Sequence, residues 1–394
     1  MSFRADILRV VYPAPSPVPP PYPYLAPMPR RIRKVGAPLG VIIGLGVLVG
    51  CLLILTTLTN PIGMTIGFVL ASIATAVVLL TYLWFDRWEP EPPRLLIFAF
   101  VWGASISVVI SVLLETLSTP LLGKDGFAAM AIGAPVIEEA AKGVFLLLMM
   151  TGRRRNELNS LTDCLVYAGF VAAGFAWLEN IFYIAMGENI AHSLLTAALR
   201  LIMGPFAHPL FTSMTGIGVY LALQHRGAGA KVLYIGLGYL AAVVMHMLWN
   251  GSTVVGAGAY FAVYLFWMVP IFTLAIVTGV LGRRREQRVV AEKLPGLVAS
   301  GLITPNEATW LGSMRTRKGA IAAAARFGGA AAGKSVKEFA VQVVELAFVR
   351  DRIDRGLADQ RTYQLHAEEA YWLTATRAQA PVLQWLANYR AGVT

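Results

Sequence analysis

Long apolar runs separated by short polar connections dominate the chain. Runs of about 20 residues, enough to cross a bilayer as helix, fall near 39–59, 62–85, 95–117, 127–150, 161–186, 204–223, 231–250 and 260–281. This pattern predicts an all-α fold: a polytopic membrane helix bundle of about eight transmembrane helices plus a small helical cytoplasmic domain. The expected divisions are a proline-rich tail at 1–37, the membrane core at 38–282 and the helical domain at 283–394.

The flanking segments read differently from the core. Val11 to Pro29 is rich in proline and poor in charge, which predicts an extended tail of polyproline character. Beyond Leu281, Thr304, Pro305 and Glu307 form an N-cap, first-turn proline and capping-box acid, and Ser335 with Glu338 repeats the signal. Gly356 reads as a helix end, Pro381 to Tyr389 as a further short helix, and Gly319 to Gly333 as a joint or a weak helix.

Composition agrees with a membrane protein: 57% of residues are hydrophobic and 14% charged, which excludes an ordinary soluble domain. Basic residues alternate between connections. Arg30, Arg31, Arg33, Lys34, Arg87, Arg94, Arg153 to Arg155, Arg226, Lys231 and Arg283 to Arg285 fall on one side, and only Lys124 and Arg200 on the other. By the positive-inside rule both termini are cytoplasmic. The net charge of +11 then reports orientation and attraction to anionic lipid; no basic stripe with interleaved aromatics points to nucleic acid. Cys51 and Cys164 fall in or near spans and suggest no disulfide framework.

The chemistry lies inside the apolar runs. Glu138 and Glu139 stand side by side with Lys142 one turn on, although each charge at a span centre costs about 2.5–3.5 kcal/mol on insertion scales. Glu179 and Tyr183 lie four apart on the fifth run, His208 is in the sixth, and His246 and Asn250 are four apart in the seventh. An i, i+4 pair of Glu138 with Lys142 could be glue between spans, but one lysine cannot neutralise three glutamates. A single histidine in a span often only bonds a neighbouring helix, and Tyr183 suits an interfacial anchor equally well. Glu188, His192 and Arg200, in the connection after the fifth run, read as surface groups at the rim of any cavity.

Counting residues from the span ends puts Glu179, His208 and His246 in the outer half of the membrane and the Glu138/Glu139 pair near its middle. Peptide hydrolysis needs an activated water and a stabilised oxyanion, which a glutamate base with histidine donors or a bound metal supplies. His208, His246 and a glutamate match the ligand types of a catalytic Zn2+ site, but ligands on separate helices leave no local spacing signature. The same groups could instead form the relay of a proton-coupled transporter or channel, although no inverted repeat or paired helix break accompanies them.

Ordered along the chain, Asp86-Arg87-Trp88-Glu89-Pro90-Glu91-Pro92, Glu138-Glu139-Ala140-Ala141-Lys142, Glu179 with Tyr183, His208 with Gly216, and His246 with Asn250 resemble the PrsW family of intramembrane proteases. That family is related to the CAAX prenyl protease and bacteriocin-processing enzymes, and the resemblance runs from about Trp84 to Ser252. Leu178 departs from the phenylalanine common there. The resemblance implies a metallo- or glutamic-type endopeptidase of a bacterial-type plasma membrane, cutting a membrane-anchored protein, such as an anti-sigma factor, near the outer face. Glu138 or Glu139 would then activate water, Glu179 would be a second carboxylate, and His208 and His246 would be metal ligands or oxyanion donors. Asn250 would assist, with Lys142 and Tyr183 tuning the carboxylates.

Overall fold

A computed structural model describes residues 39–123 and 126–391. The proline-rich tail lies outside the described residues, as do Arg30, Arg31, Arg33, Lys34 and Lys124. The described chain forms two compact units, one of residues 39–289 with 348–363, the other of 290–347 with 364–391.

The first unit contains α1 (Leu39–Thr59), α2 (Pro61–Phe85) and α3 (Pro93–Leu122, with a π-turn at Gly103–Ser107). α4 follows as a π-turn, Ala128–Gly133, running into Ala134–Met149. After it come α5 (Leu161–Ala185), α6 (Ile190–Ala197), α7 (Ala207–Leu223), α8 (Ala228–Val255) and α9 (Ala257–Ala299). Among the described residues, seven stretches are long and apolar enough to cross a membrane: α1, α2, α3, α5, Ile190–Leu223, α8 and α9. About eight were expected. The difference is α4, whose Glu138, Glu139 and Lys142 dilute its apolar character.

α5 is the axis of this unit. Between Asp163 near its start and Glu179 near its end it is apolar on all sides, as suits a helix buried on every face, and it packs against α2, α3, α4 and α7. Ser160 and Asp163 start it with a reciprocal capping box. Without a hydrophobic driving force in lipid, such packing depends on close backbone approach over small residues. The seam between α3 and α5 shows this: a Cβ on Gly103 would lie 1.9 Å from the Val171 carbonyl oxygen, and one on Gly174 would lie 2.0 Å from that of Phe100. The approach brings Trp102 Nε1 and Ser107 Oγ to the Ala141 carbonyl at 3.3 and 3.2 Å, so α3 grips α4 beside Lys142.

At the end of the bundle that carries Arg87 and Arg283, both stacked over Trp84, the acidic motif after α2 forms a structural knot. Asp86 Oδ2 accepts the Glu91 amide at 2.8 Å, Glu91 Oε2 accepts the Tyr167 hydroxyl at 2.6 Å, and Glu89 Oε1 accepts Asn159 Nδ2 at 3.2 Å. Tyr167 lies roughly 18 Å along α5 from Glu179, at about 1.5 Å per residue, so this motif braces the bundle far from the intramembrane charges.

The second unit contains the tail of α9, α10 (Pro305–Leu311), most of α11 (Met314–Asp354), α12 (Gln360–Gln379) and α13 (Pro381–Leu386). The Thr304–Glu307 capping box forms as expected, and Glu307 also pairs with Arg377. Ser335 does not start a helix: its hydroxyl bonds back to the Ala331 carbonyl at 3.1 Å inside α11. The interruption falls earlier, at Gly328 and Gly329, where Gly329 takes φ 76°; the alanines that follow then propagate helix without a new cap. Gly356 ends α11 as expected, at φ 70°, with the Leu357 amide bonded to the Arg352 carbonyl and its own to that of Ile353.

The seam between α3 and α5 yields a direct test. Gly174→Val should abolish monodisperse, detergent-purified protein, because its Cβ meets backbone that cannot move aside, whereas Gly44→Val on α1, with open space around its Cβ, should elute and melt like wild type. Size-exclusion profiles and thermal unfolding of the two variants check this.

Candidate active site

The start of α4 is set by Pro135. In the π-turn before it, the amide of residue 135 would bond the Met130 carbonyl; proline has no N–H, and Asn250 Nδ2 from α8 donates there instead at 3.2 Å. Tyr239 adds a hydroxyl bond to the Val136 carbonyl at 2.8 Å. α8 thereby fixes the rotation of α4, which turns Glu138, Glu139 and Lys142 inward, where all three are buried.

Lys142 is the hub. Its Nζ, with no exposed surface, lies 2.8 Å from Glu139 Oε1, 3.2 Å from Glu138 Oε2 and 3.1 Å from His208 Nδ1, and 4.0 Å over the Phe175 ring. An ammonium has three donors and no acceptor, so these contacts exhaust it and His208 Nδ1 must be the acceptor. The His208 proton is therefore on Nε2, which donates to Glu179 Oε2 at 2.8 Å.

His246 is fixed by the same logic. Its Nδ1 lies 3.1 Å from Glu139 Oε1, and a carboxylate accepts, so Nδ1 carries the proton and Nε2 presents its lone pair. The Thr212 hydroxyl donates to Glu139 Oε2 at 2.7 Å, so both oxygens of Glu139 are engaged. Phe211 stacks on the His246 ring at 4.8 Å.

Facing one another at the middle of the cluster are the Glu138 carboxylate, the His246 Nε2 lone pair and His208 Nδ1, which already accepts from Lys142. Glu138 Oε2 is 3.9 Å from His208 Nδ1 and 3.9 Å from His246 Nε2, and one ligand atom from each of these three residues lies within 4.8 Å of the others. Each imidazole is held at its far nitrogen by a carboxylate, the arrangement that orients histidine ligands in metal sites. Four helices contribute: α4, α5, α7 and α8.

Of the residues expected at the site, Glu138, Glu139, Lys142, Glu179, His208 and His246 meet in this cluster. Asn250 bonds the π-turn of α4 instead, and Tyr183 lies under the Arg200 guanidinium, 4.0 Å away, with its ring half-exposed. Glu188 and His192 are exposed, as expected. Arg200, read as a surface group, instead donates to Glu179 Oε2 at 2.6 Å. Glu115 on α3 escaped the sequence reading altogether; it is half-buried and within electrostatic range of Glu179 and Lys142. Its signal was a lone acid in the apolar run of α3.

A membrane bundle that gathers carboxylates and imidazoles among its buried helices has the makings of an intramembrane hydrolase, and the comparisons with known proteins say which kind. Residues 91–275 match the PrsW family intramembrane metalloprotease. The chain is 25% identical over 220 residues to Protease PrsW of Oceanobacillus iheyensis, covering 56% of this chain and 97% of that protein. It is 26% identical over 178 residues to Protease PrsW of Bacillus subtilis (45% and 78%) and 28% identical over 184 residues to that of Clostridioides difficile (44% and 74%). No solved structure matches. The membrane core of this chain is similar to that of PrsW-family intramembrane proteases, which are peptide hydrolases.

Removing the hub should unbalance the cluster. Lys142→Met leaves Glu138 and Glu139 buried without their cation, a change that typically costs about 3–5 kcal/mol. The expected outcome is a clear drop in melting temperature in detergent; a variant that melts with wild type would contradict the assignment of Lys142 as hub.

Proposed function

We propose that this chain cleaves membrane-anchored protein substrates, with anti-sigma factors as one candidate class, by a water activated among Glu138, His208 and His246. The observation that carries this reading is the convergence of the Glu138 carboxylate with two imidazole lone pairs whose far nitrogens are tied to Glu139 and Glu179.

The donor set fits a divalent metal. Two histidines and a glutamate are a known catalytic zinc set, and the carboxylates holding the far nitrogens supply the expected second layer. His208 Nδ1, His246 Nε2 and Glu138 are the groups that would hold it. When bound, such an ion supplies Lewis acidity to the substrate carbonyl and to the attacking water.

The chain's own groups divide the remaining work. Glu138 is the carboxylate of the trio that can take a proton from water without releasing a histidine, because Glu139 holds His246 and Glu179 holds His208. The water oxygen adds to the scissile carbonyl carbon, and passing the proton to the amine nitrogen lets the C–N bond break, which releases a carboxylic acid and an amine. Lys142 offsets part of the charge of Glu138 and Glu139 and holds Glu138 in place.

We put the basic end, with Arg87, Arg153 to Arg155 and Arg283 to Arg285, in the cytoplasm together with both termini. The cluster then lies toward the outer half of the membrane, and cutting takes place there. One observation favours a second, metal-free reading: Lys142 Nζ already sits 3.1 Å from His208 Nδ1, one of the three ligand atoms. In that reading Glu138 activates the water alone and the histidines stabilise the oxyanion.

Cleavage of a single-span substrate by purified protein in liposomes tests the proposal. Glu138→Gln and His246→Ala should each lower the rate by about 100- to 10,000-fold with insertion unchanged. Loss of activity with a chelator and recovery on adding Zn2+ is the result expected for the metal reading, and chelator resistance the result for the metal-free one. Cleavage by Glu138→Gln at the wild-type rate would refute both.

A further inference from the structure

Arg200 has no task in the chemistry above, yet it is the most tightly held cation at the edge of the cluster. It sits in the π-turn Ala198–Met203, between α6 and the turn that starts α7. Its Nη2 donates to Glu179 Oε2 at 2.6 Å, its Nε donates to Asn180 Oδ1 at 2.6 Å, and the guanidinium lies 4.0 Å over the Tyr183 ring. Three residues within about one turn of α5 thus fix it along two edges and one face.

The Glu179 oxygen that accepts from Arg200 also accepts the His208 Nε2 proton at 2.8 Å. Lys142 is a second cation within electrostatic range of Glu179. A Glu179 carboxylate released from Arg200 would be drawn toward Lys142, and the Nε2 proton of His208 would lose its acceptor. The imidazole, held then only through Nδ1 by Lys142, could turn, and Nδ1 would no longer face Glu138 and His246.

We propose that Arg200 is a positioning residue: by pinning Glu179 it keeps an acceptor on the His208 Nε2 proton and so fixes the orientation of the imidazole, which the single contact of Nδ1 with Lys142 does not fix alone. It touches neither substrate nor reacting atoms, and the inference rests on the hydrolytic reading of the cluster. Lysine at this position could neutralise Glu179 but could neither fork to Asn180 nor lie flat on Tyr183, so Arg200→Lys separates charge from orientation.

The test uses the full chain in nanodiscs as wild type, Arg200→Lys, Arg200→Met and Glu138→Gln. Two readouts are taken: Zn2+ affinity by competition with a fluorescent chelator, and kcat and KM for a single-span substrate. Both Arg200 variants should weaken Zn2+ binding and lower kcat by about 10-fold each, the lower end of the effect of removing a supporting partner, with KM within about twofold of wild type. Unchanged Zn2+ affinity and kcat would overturn the proposal, as would a rise in KM alone, which marks a substrate contact. Full activity in Arg200→Lys would also overturn it, by showing that charge suffices. If Arg200→Met does not yield monodisperse protein, Arg200→Lys decides alone. Glu138→Gln keeps the two ideas apart: if it retains Zn2+ binding and cleavage, the hydrolytic reading itself fails, whereas its loss of both beside an unaffected Arg200→Met removes only the role of Arg200.

Discussion

An ammonium group buried among membrane helices has to be surrounded by acceptors, and the rest of the site follows from how Lys142 meets that demand. Its three donors go to Glu138, Glu139 and His208, with the Phe175 ring beneath the charge. Because the ammonium can only donate, it dictates the tautomer of His208; because Glu139 can only accept, it dictates that of His246. One buried cation thereby arranges, directly or through Glu139, side chains on α4, α7 and α8. The cost of carrying charge into an apolar bundle is offset only when all the partners are present, which ties the stability of the fold to the integrity of the site.

The scaffold meets the precision this requires through backbone rather than through large side chains. Gly103 and Gly174 let α3 and α5 touch, which carries Trp102 and Ser107 to the Ala141 carbonyl beside Lys142. Pro135 opens a carbonyl that Asn250 fills, locking α4 to α8. The acidic motif after α2 ties down the start of α5 at the opposite end, so the helix that carries Glu179 is anchored far from where it acts. Asn250, which the resemblance would have assisting the chemistry, and the Asp86 to Pro92 run both brace the helices that carry the site.

Much of this was legible in the chain because membrane helices leave a strong signal. Apolar runs and alternating basic loops gave the bundle, and an ionisable residue in such a run is costly enough to stand out, which brought forward Glu138, Glu139, Lys142, Glu179, His208 and His246. Pairings across helices were less visible. Nothing local shows that Thr212 serves Glu139, that Asn250 serves the Met130 carbonyl, or that Arg200 folds back onto Glu179, since these contacts join residues far apart in sequence. Glu115 was passed over because it has no charged neighbour in its run to mark it. In α11, Ser335 offered a cap signal that the preceding alanines overrode, a case of propagation outweighing a local stop.

The central claim is that Glu139 and Glu179 turn His246 Nε2 and His208 Nδ1 toward Glu138, which makes a two-histidine, one-carboxylate site once Lys142 yields His208 Nδ1. Zinc-edge X-ray absorption on purified protein loaded with one equivalent of Zn2+ reads that shell directly. The account predicts two imidazole nitrogens and carboxylate oxygen at about 2.0–2.2 Å, with the imidazole signal reduced in His246→Ala. A shell of oxygen alone, or one unaltered by His246→Ala, would contradict it.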